Sequence, residues 1–239
     1  MRNRWFIALA AIGLHISIGS VYAWSVLTRP IMADMGFTLS QTTWTFSLAI
    51  LMLGLSAGFL GSFAEKIGPK KSGLLAMLFW VTGLLGTAYA LSIHNLTLLY
   101  LFYGIIGGIG LGIGYITPVS TLVKYFPNRP GFATGLAIMG FGFASLIAGP
   151  LMQYLVAQVE LVDTFIILGV IYLVIMGASS LYLKAPQPKH PTRTTKDKSA
   201  MYVHTHGMLA NDAMKTWQFG ALWWVFFINI TCGIGLLSL

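Results

Sequence analysis

The sequence predicts an all-α membrane protein, a bundle of six transmembrane helices followed by the start of a seventh. Three observations predict it. Of 239 residues, 56% are apolar and only 8% charged, and the mean hydropathy is +0.79, whereas a soluble domain carries about a quarter charged residues. Apolar runs of roughly 20 or more residues recur along the chain, each able to cross a hydrocarbon core about 30 Å thick. Basic residues then gather on alternate connecting segments, which is the pattern of membrane orientation.

The runs lie at about 5–27, 43–64, 72–92, 95–120, 131–155 and 162–184, and a seventh begins at Trp217 and is still apolar at Leu239. At a rise of 1.5 Å per residue, helices of these lengths reach about 31–39 Å, enough to span with some tilt. They are too long for barrel strands and show no sustained two-residue alternation. This divides the chain into a six-helix bundle at 1–184, a polar linker at 185–216 and the start of a seventh helix at 217–239.

The first run follows Arg2 and Arg4 and contains Val21-Tyr22-Ala23, which imitates a signal peptide with a small-residue cleavage site. It is longer than a signal core and five further spans follow, so it reads as a retained helix. His15, Tyr22 and Arg29 recur on it at heptad spacing, with Ser25 on the same face. A polar face on an apolar helix avoids lipid and points at the bundle interior or a water-filled path. His15, Tyr22 and Ser25 are therefore expected to line a pathway near the midplane as hydrogen-bond donors. The plainer reading is helix packing, with His15 neutral and satisfied by a neighbour. Arg29, at the outer end, fits a snorkelling or entrance charge.

The second run contains Gly54-Leu-Ser56-Ala-Gly58, which matches the serine-hydrolase pattern G-x-S-x-G. That chemistry needs a strand-to-helix turn and a partnered histidine, whereas small-xxx-small packing within a membrane helix accounts for the match. An intramembrane protease using Ser56 and His15 is the sharper alternative.

Between the second and third runs lies Gly61-Ser-Phe-Ala-Glu65-Lys66-Ile-Gly68-Pro69-Lys70-Lys71, a basic loop punctuated by Gly and Pro. It lacks the glycine spacing of a phosphate loop. Glu65 can attract a helix N-terminus or a basic residue, and Lys66, Lys70 and Lys71 can hold acidic partners or lipid phosphates. Contacts of this kind, made in one access state and broken in another, bias a conformational equilibrium. Gly61, Glu65, Lys66, Gly68, Lys70 and Lys71 are accordingly read as a gating loop, and the alternative is that the lysines only fix topology.

The fourth run is dense in glycine. Gly104-xxx-Gly108 and Gly110-xxx-Gly114 permit close backbone approach, while the absence of G-x-G-x-x-G and of a preceding strand excludes a dinucleotide site. The linker holds Pro186, Pro188, Pro191 and the mixed-charge run Arg193 to Lys198, a flexible segment by composition. Its His190, His204 and His206 lack cysteines or helical spacing and read as solvated. No metal and no cofactor are expected.

Of the 14 basic residues, Arg2, Arg4, Lys66, Lys70, Lys71, Lys124, Arg129, Lys184, Lys189, Arg193, Lys196, Lys198 and Lys215 fall on one side and only Arg29 on the other. The positive-inside rule places the N-terminus in the cytoplasm, in a multi-pass protein of the plasma (inner) membrane. The net charge of +8 thus reports orientation, and nucleic acid is not an expected partner, since that needs a basic folded face. The single Cys232 can form no intrachain disulfide. Nothing reads as an enzyme.

The Gly61–Lys71 loop resembles the loop between helices 2 and 3 of major facilitator superfamily transporters, with Glu65 where that family usually has Asp. Asn3-Arg4-Trp5-Phe6 and Gly19-Ser-Val-Tyr22-Ala-Trp24-Ser25 in the first run, Tyr103 to Tyr115 in the fourth, Lys124-Tyr-Phe126-Pro127-Asn-Arg129-Pro-Gly131 after it, and Thr216-Trp-Gln218-Phe219 with Leu222-Trp223-Trp224 in the seventh narrow the likeness. Together they resemble the oxalate/formate antiporter family of the superfamily. The resemblance implies two six-helix halves, each a 3+3 inverted repeat, of which this chain holds the first, with the second half expected beyond Leu239. It implies secondary transport of a small organic anion, a mono- or dicarboxylate, by alternating access, with Tyr115 facing the path. That family's cationic anion-binding residues lie mainly on second-half helices. Phe141 stands where the family can offer an aromatic hydroxyl, and Val21 adds no polar group, so both departures weigh against oxalate itself. A transporter of another metabolite or drug, or an inactive half acting as a scaffold, are the alternatives.

Single cysteines in a Cys232→Ser background test the orientation. A cysteine at Lys70 should react with a membrane-impermeant maleimide only when the inner face is exposed, and one at Glu160 should react from outside.

Overall fold

The computed structural model describes residues 3–186 and 210–237. His190, His204, His206 and the run Arg193 to Lys198 lie outside the described residues, as does Arg2. The chain divides after Pro186 into two compact units. The first contains α1 (Arg4–Met35), α2 (Leu39–Ile67), α3 (Pro69–Ser92), α4 (Leu96–Tyr125), α5 (Pro130–Gln158) and α6 (Leu161–Tyr182). The second contains a single helical turn at Ala210–Ala213 and α7 (Trp217–Leu237), whose described side chains, Cys232 among them, are exposed except for the half-buried Ile234. All seven helices are long and apolar enough to cross a membrane, and no strand occurs among the described residues.

Most helices outrun the apolar runs that announce them, because hydropathy measures depth in the bilayer whereas caps decide where a helix ends. Asn3 caps α1 by accepting from the Trp5 N–H at 3.0 Å. The helix then continues past Arg29 and Pro30 to Met35, where Gly36, at φ 68°, stops it. Thr38 and Gln41 form a reciprocal capping box that starts α2.

The Gly61–Lys71 segment is shorter as a loop than its composition predicts. Gly61 to Ile67 belong to α2, Pro69 to Lys71 begin α3, and Gly68 alone lies between them, at φ 83°. Only glycine adopts that conformation without strain, and Pro69 restarts the helix at its first position, where no N–H is required.

Three spans are interrupted. α1 tightens to a 3₁₀ turn at Ser20–Ala23, α4 widens to a π-helical stretch at Tyr100–Gly107 and carries Pro118, and α5 breaks at Phe143. Departures from α geometry inside helices often mark functional positions.

Packing explains the glycines of α4. Gly104, Gly108 and Gly112 recur every fourth residue and lie against Leu48, Ala49 and Leu53 of α2, while Gly110 lies against the Ala76–Trp80 backbone of α3. Gly114 meets Ile18 of α1 and Ala76. The Gly104–Gly108 pair thus serves one neighbour, while Gly110 and Gly114 serve two, an apportionment that small-residue spacing does not foretell. The close approach lets α4 pack on three helices at once. α1 is the most buried span and packs on α4, α5 and α6, whereas α2 is the least buried of the six.

A Cβ at Gly110 would lie 2.6 Å from the Trp80 backbone nitrogen, whereas one at Gly54 meets nothing within 4 Å. Gly110→Ala should therefore cost about 1–3 kcal/mol and lower the thermal unfolding midpoint in detergent, while Gly54→Ala leaves it unchanged or raises it.

Candidate functional site

The interrupted spans α1, α4 and α5 meet at His15, in the middle of α1. His15 lies about 17 Å along a helix that starts at Arg4, near the centre of a hydrocarbon core about 30 Å thick. Its ring is fully buried. Nδ1 lies 2.6 Å from the carbonyl oxygen of Ala137 in α5, and Nε2 lies 3.0 Å from the carbonyl oxygen of Tyr115 in α4. One imidazole therefore joins three helices that adjoin in space but are remote in sequence. Tyr115 sits one turn before Pro118, and Ala137 lies shortly before the α5 break.

Aromatic rings complete the cluster. The Tyr115 ring stacks on His15 at 5.5 Å with an interplanar angle of 24°. Phe141 makes T-shaped contacts with His15, Tyr22 and Tyr115 at centroid distances of 5.9, 4.9 and 5.3 Å. Such edge-to-face pairs each add about 0.5–1.5 kcal/mol beyond area burial. The approach is possible because α5 carries Gly140 beside Ile12 and His15, and because Gly19 of α1 lies against the Phe141 backbone and Ala144.

Of the residues expected to line a path, Tyr22, Ser25 and Tyr115 are half-buried, whereas His15 is buried beneath the rings of Tyr115 and Phe141. The structure thus brings His15, Tyr22 and Tyr115 into one aromatic cluster, and Ser25 stands one turn beyond Tyr22 on α1. Val21 is wholly buried and Arg29 is exposed. Charged side chains are absent from the cluster: those of α1, α4, α5 and α6 fall within the first or last two turns. Among the described residues no group of three or more His, Cys, Asp or Glu could hold a metal.

Ser56 has a different role from that of a nucleophile. Its hydroxyl donates to the carbonyls of Leu53 at 3.2 Å and of Gly108 at 3.4 Å, so it fastens α2 to α4, and His15 has other partners. The packing account holds for Ser56 but fails for its two glycines. Gly54 and Gly58 meet nothing within 4 Å, since they lie on the open side of the least buried span.

At the basic end, Glu65 pairs with Lys124 of α4 at 3.2 Å, and Ser72 and Thr117 share a 2.5 Å hydrogen bond between α3 and α4. Glu65, Gly68, Thr121 and Lys124 line a cleft of about 60 Å³. Lys66, Lys70 and Lys71 are exposed and make no ion pair among the described residues. Sequence reasoning misses Lys124 as the partner of Glu65. Its place as the lone charge at the end of α4 is the available signal, but sequence spacing cannot pair side chains 59 residues apart.

A family model described as Major Facilitator Superfamily matches residues 6–239. An uncharacterized MFS-type transporter of Escherichia coli (strain K12), YhjX, is 31% identical over 81% of this chain and 47% of its own length. Human monocarboxylate transporter 14 is 27% identical over 84% of this chain and 39% of its own. The oxalate:formate antiporter of Oxalobacter formigenes is 25% identical over 94% of this chain and 52% of its own. The chain spans about half the length of the curated relatives it matches.

Phe141 contacts three polar rings and is itself buried, so Phe141→Ala should cost about 3–5 kcal/mol. A fall in the unfolding midpoint larger than that of Gly110→Ala would register it.

Proposed function

The chain belongs to the Major Facilitator Superfamily, and from that premise we propose that it serves secondary transport of small organic anions, mono- or dicarboxylates such as oxalate, formate or lactate, by alternating access. It is a multi-pass membrane protein of a transporter family and not an enzyme. The observation that carries the proposal is the convergence of interrupted helices α1, α4 and α5 on one polar aromatic cluster. Transporters build their midplane sites from discontinuous helices, where freed polar groups face the substrate. Tyr22 and Tyr115 each offer a half-buried hydroxyl, and hydrogen bonds to charged partners are roughly twice as strong as those between neutral groups. Ser25 adds a third hydroxyl near the outer end of α1.

Phe141 gives the cluster an apolar surface between these donors. A substrate with one carboxylate and a short apolar remainder fits that surface better than oxalate, whose two charged ends would leave one against a ring. The names of the human and Oxalobacter relatives are consistent with a carboxylate class. Because the cluster lacks a fixed positive charge, the balancing cation is assigned to the part of the protein that corresponds to the relatives' other half.

The Gly61–Lys71 segment is assigned to gating. Glu65–Lys124 is half-exposed, so as a surface ion pair it contributes about 0–1 kcal/mol to stability. A contact of that size can be broken and remade in each cycle, and it biases the access equilibrium without locking it. The basic end is assigned to the cytoplasmic face of the plasma membrane, with 1–184 as the transport bundle and 185–216 as a linker on that face.

Uptake of labelled lactate, formate and oxalate into proteoliposomes holding the full-length protein tests this reading. Tyr22→Phe and Tyr115→Phe should each raise KM about tenfold or more, the loss expected of one hydrogen bond to a charged group. Glu65→Gln should lower the maximal rate with KM unchanged. Absence of flux for all three anions, or tyrosine variants with unaltered KM and rate, would exclude it.

A further inference from the structure

At the basic end of the bundle, α1 opens with an arginine set among aromatic rings. The Arg4 guanidinium lies 5.9 Å from the centre of the Trp5 ring and 5.4 Å from that of Phe126, the residue that follows α4. Trp5, Phe126 and Phe132 make T-shaped contacts with one another at centroid distances of 5.5, 6.3 and 5.9 Å. Arg129 stands in the α4–α5 turn, where its backbone N–H donates to the Phe126 carbonyl at 3.0 Å. Two arginines from segments remote in sequence thus adjoin one phenylalanine. We propose that Arg4 and Arg129 form a binding site for the phosphate of an anionic phospholipid, with the Trp5 and Phe132 rings against its glycerol and upper acyl region. This rests on the placement of the basic end at a bilayer face and not on the anion pathway.

Both arginines are exposed, and neither belongs to an ion pair among the described residues. The described carboxylates are engaged or distant. Glu65 pairs with Lys124 and Asp212 with Lys215, while Asp34, Glu160 and Asp163 stand at the opposite ends of the spans. A ring face attracts a guanidinium through its π electrons and takes none of its five N–H donors. The planar fork therefore remains available, and it matches two phosphate oxygens at once. The rings select the source of that phosphate. Phe126 is 7% exposed, but Trp5 is 53% and Phe132 46% exposed, at a helix end where aromatic side chains sit at headgroup level. A soluble phosphate would engage the arginines alone, whereas a phospholipid also covers the open rings. Lys66, Lys70 and Lys71 lack ion pairs too, but none lies over a ring among the described residues, so they attract lipid by diffuse charge only.

The two arginines belong to different elements, Arg4 to the start of α1 and Arg129 to the α4–α5 turn. A phosphate bridging them fastens that start to that turn. These are the same three helices that converge on His15 at mid-span, so the lipid acts as a second tie between them at the membrane surface. Anionic lipid then stabilises the bundle by binding the folded state.

The full-length protein in detergent is titrated with phosphatidylglycerol and with phosphatidylcholine of identical acyl chains, and bound lipid is counted by native mass spectrometry. Phosphatidylglycerol should bind about tenfold or more tightly than phosphatidylcholine and should raise the thermal unfolding midpoint. Arg4→Gln and Arg129→Gln should each weaken its binding about tenfold and remove the rise in midpoint. Their lipid-free midpoints should match that of the unsubstituted protein, because both side chains are exposed. Lys66→Gln and Lys70→Gln should leave the affinity unchanged, and excess glycerol phosphate should fail to displace the lipid. Equal affinity for the two lipids, or equal losses in the lysine and arginine variants, overturns the site. Displacement by glycerol phosphate makes it a site for soluble phosphate and overturns the lipid assignment. Lipid binding in detergent involves neither flux nor substrate, so each of these results leaves the transport reading in place.

Discussion

A polar ring at the middle of a membrane helix has no water to turn to, and in this protein that constraint is met by backbone. His15 reaches the Tyr115 and Ala137 carbonyls, and the rest of the cluster follows from that choice. Tyr115 must come close enough to stack. α5 must approach α1 closely enough for Ala137 to be reached, which requires Gly140 and Gly19 at the contact. Phe141 then fills the space that remains. Without the imidazole, α1, α4 and α5 would lose these hydrogen bonds and rely more on packing, in which lipid chains compete on nearly equal terms.

A second core, aromatic, lies towards the end of the bundle where Met35 ends α1. Trp24, Tyr103, Trp80 and Phe165 bring α1, α4, α3 and α6 together, with the Trp24 and Tyr103 rings 4.4 Å apart. Beside it the glycine faces of α4 hold α2 and α3 at backbone distance. The first unit thus combines a tightly packed part, built on α4 with its neighbours α2 and α3, with a polar junction where α1 and α5 bend. Rigid helices joined at a few interrupted positions are what a protein needs if its elements are to move as bodies. The ion pair at the basic end spans α2 and α4 and lies outside both cores, where it is cheap to break.

Much of this is legible from the chain alone. The polar stripe of His15 and Tyr22, the Tyr115 position and the substitution represented by Phe141 all stand out in the sequence, and folding places the four side chains in one cluster. Sequence misleads where a one-dimensional signal stands for a three-dimensional fact. Polar residues after Gly61 lower the hydropathy and so suggest a loop, although backbone hydrogen bonding carries α2 on to Ile67. Gly54 and Gly58 look like a packing pair because small residues commonly are, although α2 turns them away from its neighbours. Lys124 gives no sign of being the partner of Glu65, because pairing depends on how α2 and α4 cross.

By itself the sequence determined the membrane class, the number of spans and the family. Each of these rests on local composition: the length of apolar runs against the bilayer's thickness, and the residues punctuating them. Tertiary structure alone decided what His15 is bonded to, which neighbour each glycine of α4 serves, and that Phe141 stands among three polar rings. Those facts depend on contacts between helices about a hundred residues apart, and helix crossing, which composition does not encode, selects them.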